Sequence, residues 1–93
     1  MNEHLIFDIA EIINAIHPNT IFDAHFVIQQ LHALYHNDYE ECRAHYRQPN
    51  TFHSAISREI RRIAVEREFH DEGIIVSPNI NGTPTPNRAW ERI

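Results

Sequence analysis

The dipeptide Asn81-Gly82 constrains this chain more than any other pair in it. Both central residues of a type I′ turn need φ above zero, and Asn-Gly is the preferred pair, so a β-hairpin is expected around residues 81 and 82. Its arms run Gly73-Ile-Ile-Val-Ser-Pro-Asn-Ile80 and Thr83-Pro-Thr-Pro-Asn-Arg-Ala-Trp-Glu-Arg92. Pro78, Pro84 and Pro86 cannot donate to a ladder, so the hairpin should be edge-like, partly paired and stiff. Trp90 is expected to return to the core and anchor the hairpin base. Gly82 serves the turn, and Gly73 is expected to end the preceding helix.

That helix is predicted from Thr51 to about Phe69, with Asn50 or Thr51 as its cap and Gln48-Pro49-Asn50 as the turn before it. At 100° per residue, Phe52, Ile56, Ile60 and Ile63 fall on one side. Ser54, Ser57, Arg58 and Arg61 fall on the other, with Arg62 at its margin. A helix that buries Phe and Ile and turns Ser and Arg outward can enter a nucleic-acid groove. Ser and Arg at helical spacing are also ordinary solvated residues, and Arg58 or Arg62 can pair with Glu59 or Glu66 one turn away.

Three further helices are expected upstream. Residues 4–16 carry the apolar face Leu5, Ile9, Ile12, Ile13 and Ile16, widened by Ile6, Phe7 and Ala10. A helix this apolar either caps the core or pairs two copies of the chain; His17-Pro18 ends it. Asn19 to Tyr35 reads as a second helix opened by a capping box, Thr20 with Asp23, and Phe22, Phe26, Leu31 and Leu34 supply much of its apolar surface. Asp38 to Arg47 reads as a short third helix with Tyr39, Cys42 and Tyr46 inward.

A short helix, a turn around Pro49, an Arg-bearing helix and then a hairpin make an order that resembles the winged helix-turn-helix superfamily over roughly Thr20 to Arg92. The expected fold is therefore mainly α with a C-terminal β-hairpin, winged-helix-like, with an extra N-terminal helix. It is one domain, residues 1–93: N-terminal helix 1–17, helical core with helix-turn-helix 19–69, wing hairpin 73–92. The resemblance implies double-stranded DNA as partner. Ser54, Ser57, Arg58, Arg61 and Arg62 would lie on the recognition helix, and Thr83, Thr85, Asn87 and Arg88 on the wing.

Charge patterning separates the two halves. Residues 1–42 hold seven acids and no Lys or Arg; residues 43–93 hold eight Arg and six acids, so the halves carry −7 and +2 of the net −5. All permanent positive charge lies in the half that holds the expected recognition helix and wing. The acidic half supports a rival from another class: a protein-interaction module, an inhibitor or accessory subunit, whose N-terminal half meets a protein and repels DNA.

Other chemistry is weaker. His32, His36, Cys42 and His45 could supply four tetrahedral ligands, but His-x3-His-x5-Cys-x2-His matches no zinc spacing. No metal and no cofactor are expected. Cys42 with His45, and Asp23 with His25, lack the convergent third group that nucleophilic catalysis needs, and the two glycines make no phosphate loop. No enzyme is expected. One cysteine allows no internal disulfide, and neither a signal peptide nor a membrane-length apolar run is apparent, so a cytoplasmic protein is expected.

Overall fold

The computed structural model describes residues 1–93. It contains four helices and a three-stranded antiparallel sheet in the order α1 (Glu3–Ala15), β1 (Ile21–Asp23), α2 (Ala24–Leu34), α3 (His36–Arg43), α4 (Pro49–Glu66), β2 (His70–Pro78) and β3 (Pro84–Glu91). The strand order is β1-β3-β2. The fold is therefore mixed α and β, where a mainly helical chain with one hairpin was expected. The missing element was β1. Its three residues are too short to show a period of two, and the strand that pairs with it lies near the other end of the chain: Phe22 faces Trp90 and Asp23 faces Ala89.

Finding β1 moves the start of the second helix from Asn19 to Ala24. Asp23 is its N-cap, not the far member of a box with Thr20, and Asp23 Oδ1 accepts the Phe26 backbone N–H at 2.8 Å. The inward face of α2 is Ala24, Val27, Ile28 and Leu31. Phe26 and Leu34, expected inside, are exposed, Leu34 at 65 %.

α1 behaves as its periodicity predicts. Asn2 caps it, and Leu5, Ile9 and Ile13 are fully buried. It packs on α2, α3 and α4, so it belongs to the core and is not an appendage. Its apolar stripe is used within the chain. Phe7, 63 % exposed, is the one large apolar side chain it leaves outside.

α3 is shorter than expected and ends at Arg43, with Tyr39 and Cys42 buried. Pro49 is not in the preceding turn but opens α4 at its first turn, where its missing N–H costs nothing and its φ suits the helix. Phe52, Ile56, Ile60 and Ile63 are all buried, as their spacing requires.

The exit from α4 is a Schellman motif. Phe69 N–H donates to Ala64 O and Glu68 N–H to Val65 O, with Glu68 at φ 58°. Gly73 therefore does not end the helix. It sits at φ 80° in a bulge of β2, where the pairing shifts between Asp71 and Gly73, and its N–H donates to Asp71 Oδ1. The hairpin closes at the expected place by another turn. Gly82 N–H donates to Asn79 O, Asn79 N–H to Thr83 O, and Gly82 has φ 82° while Asn81 does not have positive φ. This is a three-residue loop: a type I turn followed by a left-handed glycine. Asn79 Oδ1 decides it by accepting the N–H groups of both Asn81 and Thr83. Trp90 is buried at the hairpin base, as expected. No helix is long and apolar enough to cross a membrane.

Candidate nucleic-acid interface

α4 buries its Phe/Ile stripe, so its opposite side must face outward. There Ser54, Arg58, Arg61 and Arg62 are exposed and Ser57 is half-buried. Because α4 runs directly into β2 and β2 pairs with β3, the hairpin lies alongside this helix. Between them runs a groove of about 290 Å3 whose walls include Ser57, Arg58 and Arg61 from α4 and Pro86, Asn87 and Arg88 from β3. The fold thus gathers five of the nine candidate residues, from two segments of the chain, into one surface feature.

The arginines there differ in what they already hold. Arg58 and Arg61 make no side-chain hydrogen bond or ion pair. Arg62 is clamped on α4 between Glu59 and Glu66, the latter at 2.8 Å. Arg88 grips both oxygens of Asp71 across the hairpin, at 2.8 and 2.6 Å. That guanidinium, with the Gly73 N–H, holds the Asp71 carboxyl below the usual carboxylate range. Two cations are therefore free to meet an anion, and two would have to leave carboxylates first.

The wing candidates are also divided. Thr83 is exposed at the hairpin tip, its backbone tied to Asn79. Thr85 Oγ1 lies 3.2 Å from His25 Nε2. Asn87 Oδ1 accepts the His25 backbone N–H at 3.2 Å, and its amide donates to Ser77 Oγ, also at 3.2 Å. Ser54 stands outside the groove on the same side of α4.

Asn87 and Thr85 belong to a network that the sequence does not announce. Ser77 Oγ donates to Asp23 Oδ2 at 2.7 Å and lies 2.8 Å from His25 Nδ1. Asp23 and His25, adjacent in sequence and not expected to converge, both meet Ser77 because the hairpin folds back over the start of α2. The serine has one proton, and it goes to the carboxylate; His25 Nδ1 and the Asn87 amide then act as donors to its lone pairs. With the serine proton directed to Asp23 and not to imidazole, the set joins β2 and β3 to the α2 N-terminus. Its only sequence sign is Asp before Ala-His-Phe-Val, the mark of an N-cap.

The acidic half is less acidic outside than its count suggests. Asp8 and Asp23 are buried. Burial and the nearby Asp38 carboxyl raise the Asp8 pKa to about 6. Away from the groove, α1, β1 and α2 enclose an apolar cleft of about 530 Å3 lined by Ile16, Ile21, Phe22, Phe26 and Leu34 among others, with Ile75 of β2 at its edge.

The four candidate zinc ligands are not assembled. Cys42 is buried, while His32 and His36 are exposed and gather with Glu40. Comparison with family models, with curated proteins and with solved structures gives no match.

Proposed function

We propose that the protein is a small winged helix-turn-helix DNA-binding protein, a regulator in which α4 enters the major groove and the β2–β3 hairpin is the wing. The observation that carries this reading is the groove itself: Arg58 and Arg61, free of ion pairs, face Asn87 and Arg88 across it. The order α1, β1, helices, α4, hairpin, with β1 closing the sheet against β3, supports it. In this order α1 precedes β1 and packs with the helices that follow it. Arg58 and Arg61 would meet phosphate or guanine, with Ser54 and Ser57 beside them. Thr83 is the wing residue best placed to reach a backbone, since Thr85 and Asn87 are engaged within the fold.

A second reading, a protein-interaction module, is favoured by one specific feature: the apolar cleft beside Ile21, Phe26 and Leu34. In that reading the partner is a protein and the arginine groove is an ordinary solvated surface.

Binding of wild type, Arg58→Ala, Arg61→Ala and Arg62→Ala to random duplex DNA and to a selected pool separates the two. It should be measured at low salt and mildly acidic pH, where histidines add positive charge to a chain of net −5. Loss of a phosphate contact should weaken binding on every sequence and reduce the salt slope by about 1. Loss of a guanine contact should cost roughly 1–3 kcal/mol on one sequence only. Arg62→Ala should cost least, because Arg62 already holds two carboxylates. If the wild type binds no DNA under these conditions, the DNA reading is refuted and the apolar cleft becomes the surface to map.

A further inference from the structure

His32, His36 and Glu40 stand four residues apart on consecutive turns, across the junction where α2 ends and α3 begins. Tyr35, at φ −127° and ψ 47°, breaks the helix between the first and the second. Despite the break, one donor atom from each lies within 4.8 Å of the other two. The His32 and His36 rings meet edge to face with centroids 4.8 Å apart. Two imidazoles and a carboxylate converging at the surface are a ligand set for a borderline divalent ion, and three protein donors leave one coordination position open.

We infer that His32, His36 and Glu40 form a binding site for a first-row divalent metal ion, Zn2+ foremost. The groups that would orient the ligands are in place. His36 Nδ1 lies 3.3 Å from the His32 backbone oxygen, so Nδ1 carries the proton and Nε2 the lone pair that a metal needs. His32 is braced edge to face by the buried Tyr39, with ring centroids 5.2 Å apart, and the Tyr39 hydroxyl is in turn held by His53 Nε2 at 2.8 Å. Glu40 has one other partner, Arg43 at 3.9 Å and exposed, a contact weak enough to yield to a dication.

Ligand atoms around a tetrahedral Zn2+ stand about 3.4 Å apart for bonds of about 2.0–2.2 Å, so donor separations of up to 4.8 Å would close by up to about 1.4 Å. Exposed side chains can make that adjustment. Metal bound here would bridge the last turn of α2 to α3 and hold the bend at Tyr35. This site does not depend on the DNA reading and lies on other elements than the groove.

The test is titration of the full chain with Zn2+ alone, by calorimetry and by histidine ring signals in NMR. The wild type should bind one equivalent, with the ring signals of His32 and His36 shifting and that of His45 unmoved. His36→Ala should weaken binding by at least about tenfold, since losing even a group that only orients a ligand costs about 10–100-fold. Glu40→Gln should weaken it too, and His45→Ala should leave it unchanged. His36 and Glu40 lie outside the core, so these variants should keep the wild-type circular dichroism. Absence of saturable one-equivalent binding, or binding equal in wild type and His36→Ala, would overturn the proposal.

Discussion

α4 and the β2–β3 hairpin form the two walls of one groove, yet different forces hold them. α4 is set by apolar burial: Phe52, Ile56, Ile60 and Ile63 leave it no choice of which face to show. The hairpin buries little beyond Ala89 and Trp90 and exposes Ile74 and Val76. What positions it is polar: the Asp23–Ser77–Asn87–His25 bonds to the start of α2, and Arg88 on Asp71. Burial scales with area and ignores direction, so it fixes a helix rotation robustly. Hydrogen bonds are directional and each contributes little net, so the hairpin should be placed accurately but be easier to loosen.

The largest effect should come from the apolar wall. Ile60→Ala or Ile56→Ala should destabilise the whole domain by about 2–5 kcal/mol, read from the denaturant midpoint. An unchanged midpoint would show that α4 is held by something other than this stripe.

The polar wall comes next. Asn87→Ala leaves the His25 N–H without its acceptor and Ser77 without a donor, and should cost roughly 1–3 kcal/mol. The distinguishing readout is hydrogen exchange. Amides of residues 70–91 should lose protection well beyond the global change, while α4 amides follow the global change alone. Equal loosening of both walls would erase the contrast.

A third measurement asks whether the α1 side of the core has a polar flaw. Asp8 is buried in α1, and its Oδ2 has no partner. Its pKa is raised from 3.8 to about 6, first by burial and then by Asp38. A carboxyl with a raised folded pKa binds its proton more tightly in the native state. Its contribution is therefore fully present below about pH 4 and is lost as pH rises through 6. Asp8→Asn should stabilise the domain at pH 7 by about 1–2 kcal/mol and flatten that part of the pH profile. A variant no more stable than wild type at pH 7 would show that solvent reaches this carboxylate.

The smallest effect sits where the two walls join. Glu68 holds the left-handed position of the Schellman turn at φ 58°, a conformation that costs a side-chain-bearing residue about 1 kcal/mol. Glu68→Gly should recover roughly that amount as a rise in melting temperature. A fall would mean that the flexibility glycine adds to the unfolded chain outweighs the relieved strain.

Several of these features were legible in the amino-acid order. α1 and α4 announce themselves because a period of 3.6 repeated over three or more turns is a local signal, and burial follows from it without knowledge of the partner. The hairpin was legible from Asn-Gly, although its prolines, expected to leave it partly paired, sit inside a ladder that reaches Pro78 and Pro84, and Asn79, through two side-chain bonds to the loop backbone, chose a different turn from the type I′ that Asn81-Gly82 suggests. The free outward placement of Arg58 and Arg61 was contained in the helical pattern. The occupation of Arg62 by Glu59 and Glu66 was a visible alternative that only geometry could select.

What the tertiary structure alone decided is everything that joins distant segments. β1 exists because Ile21, Phe22 and Asp23 find β3, and three residues carry no period of their own. Asp23 becomes the cap of α2 because that strand ends there, and its second oxygen then receives Ser77 from β2. His32 and His36 find Glu40 rather than Cys42 because α3 turns its thiol into the core. In each case the deciding bond spans segments whose approach is set by chain closure and packing, and local preference has no access to that.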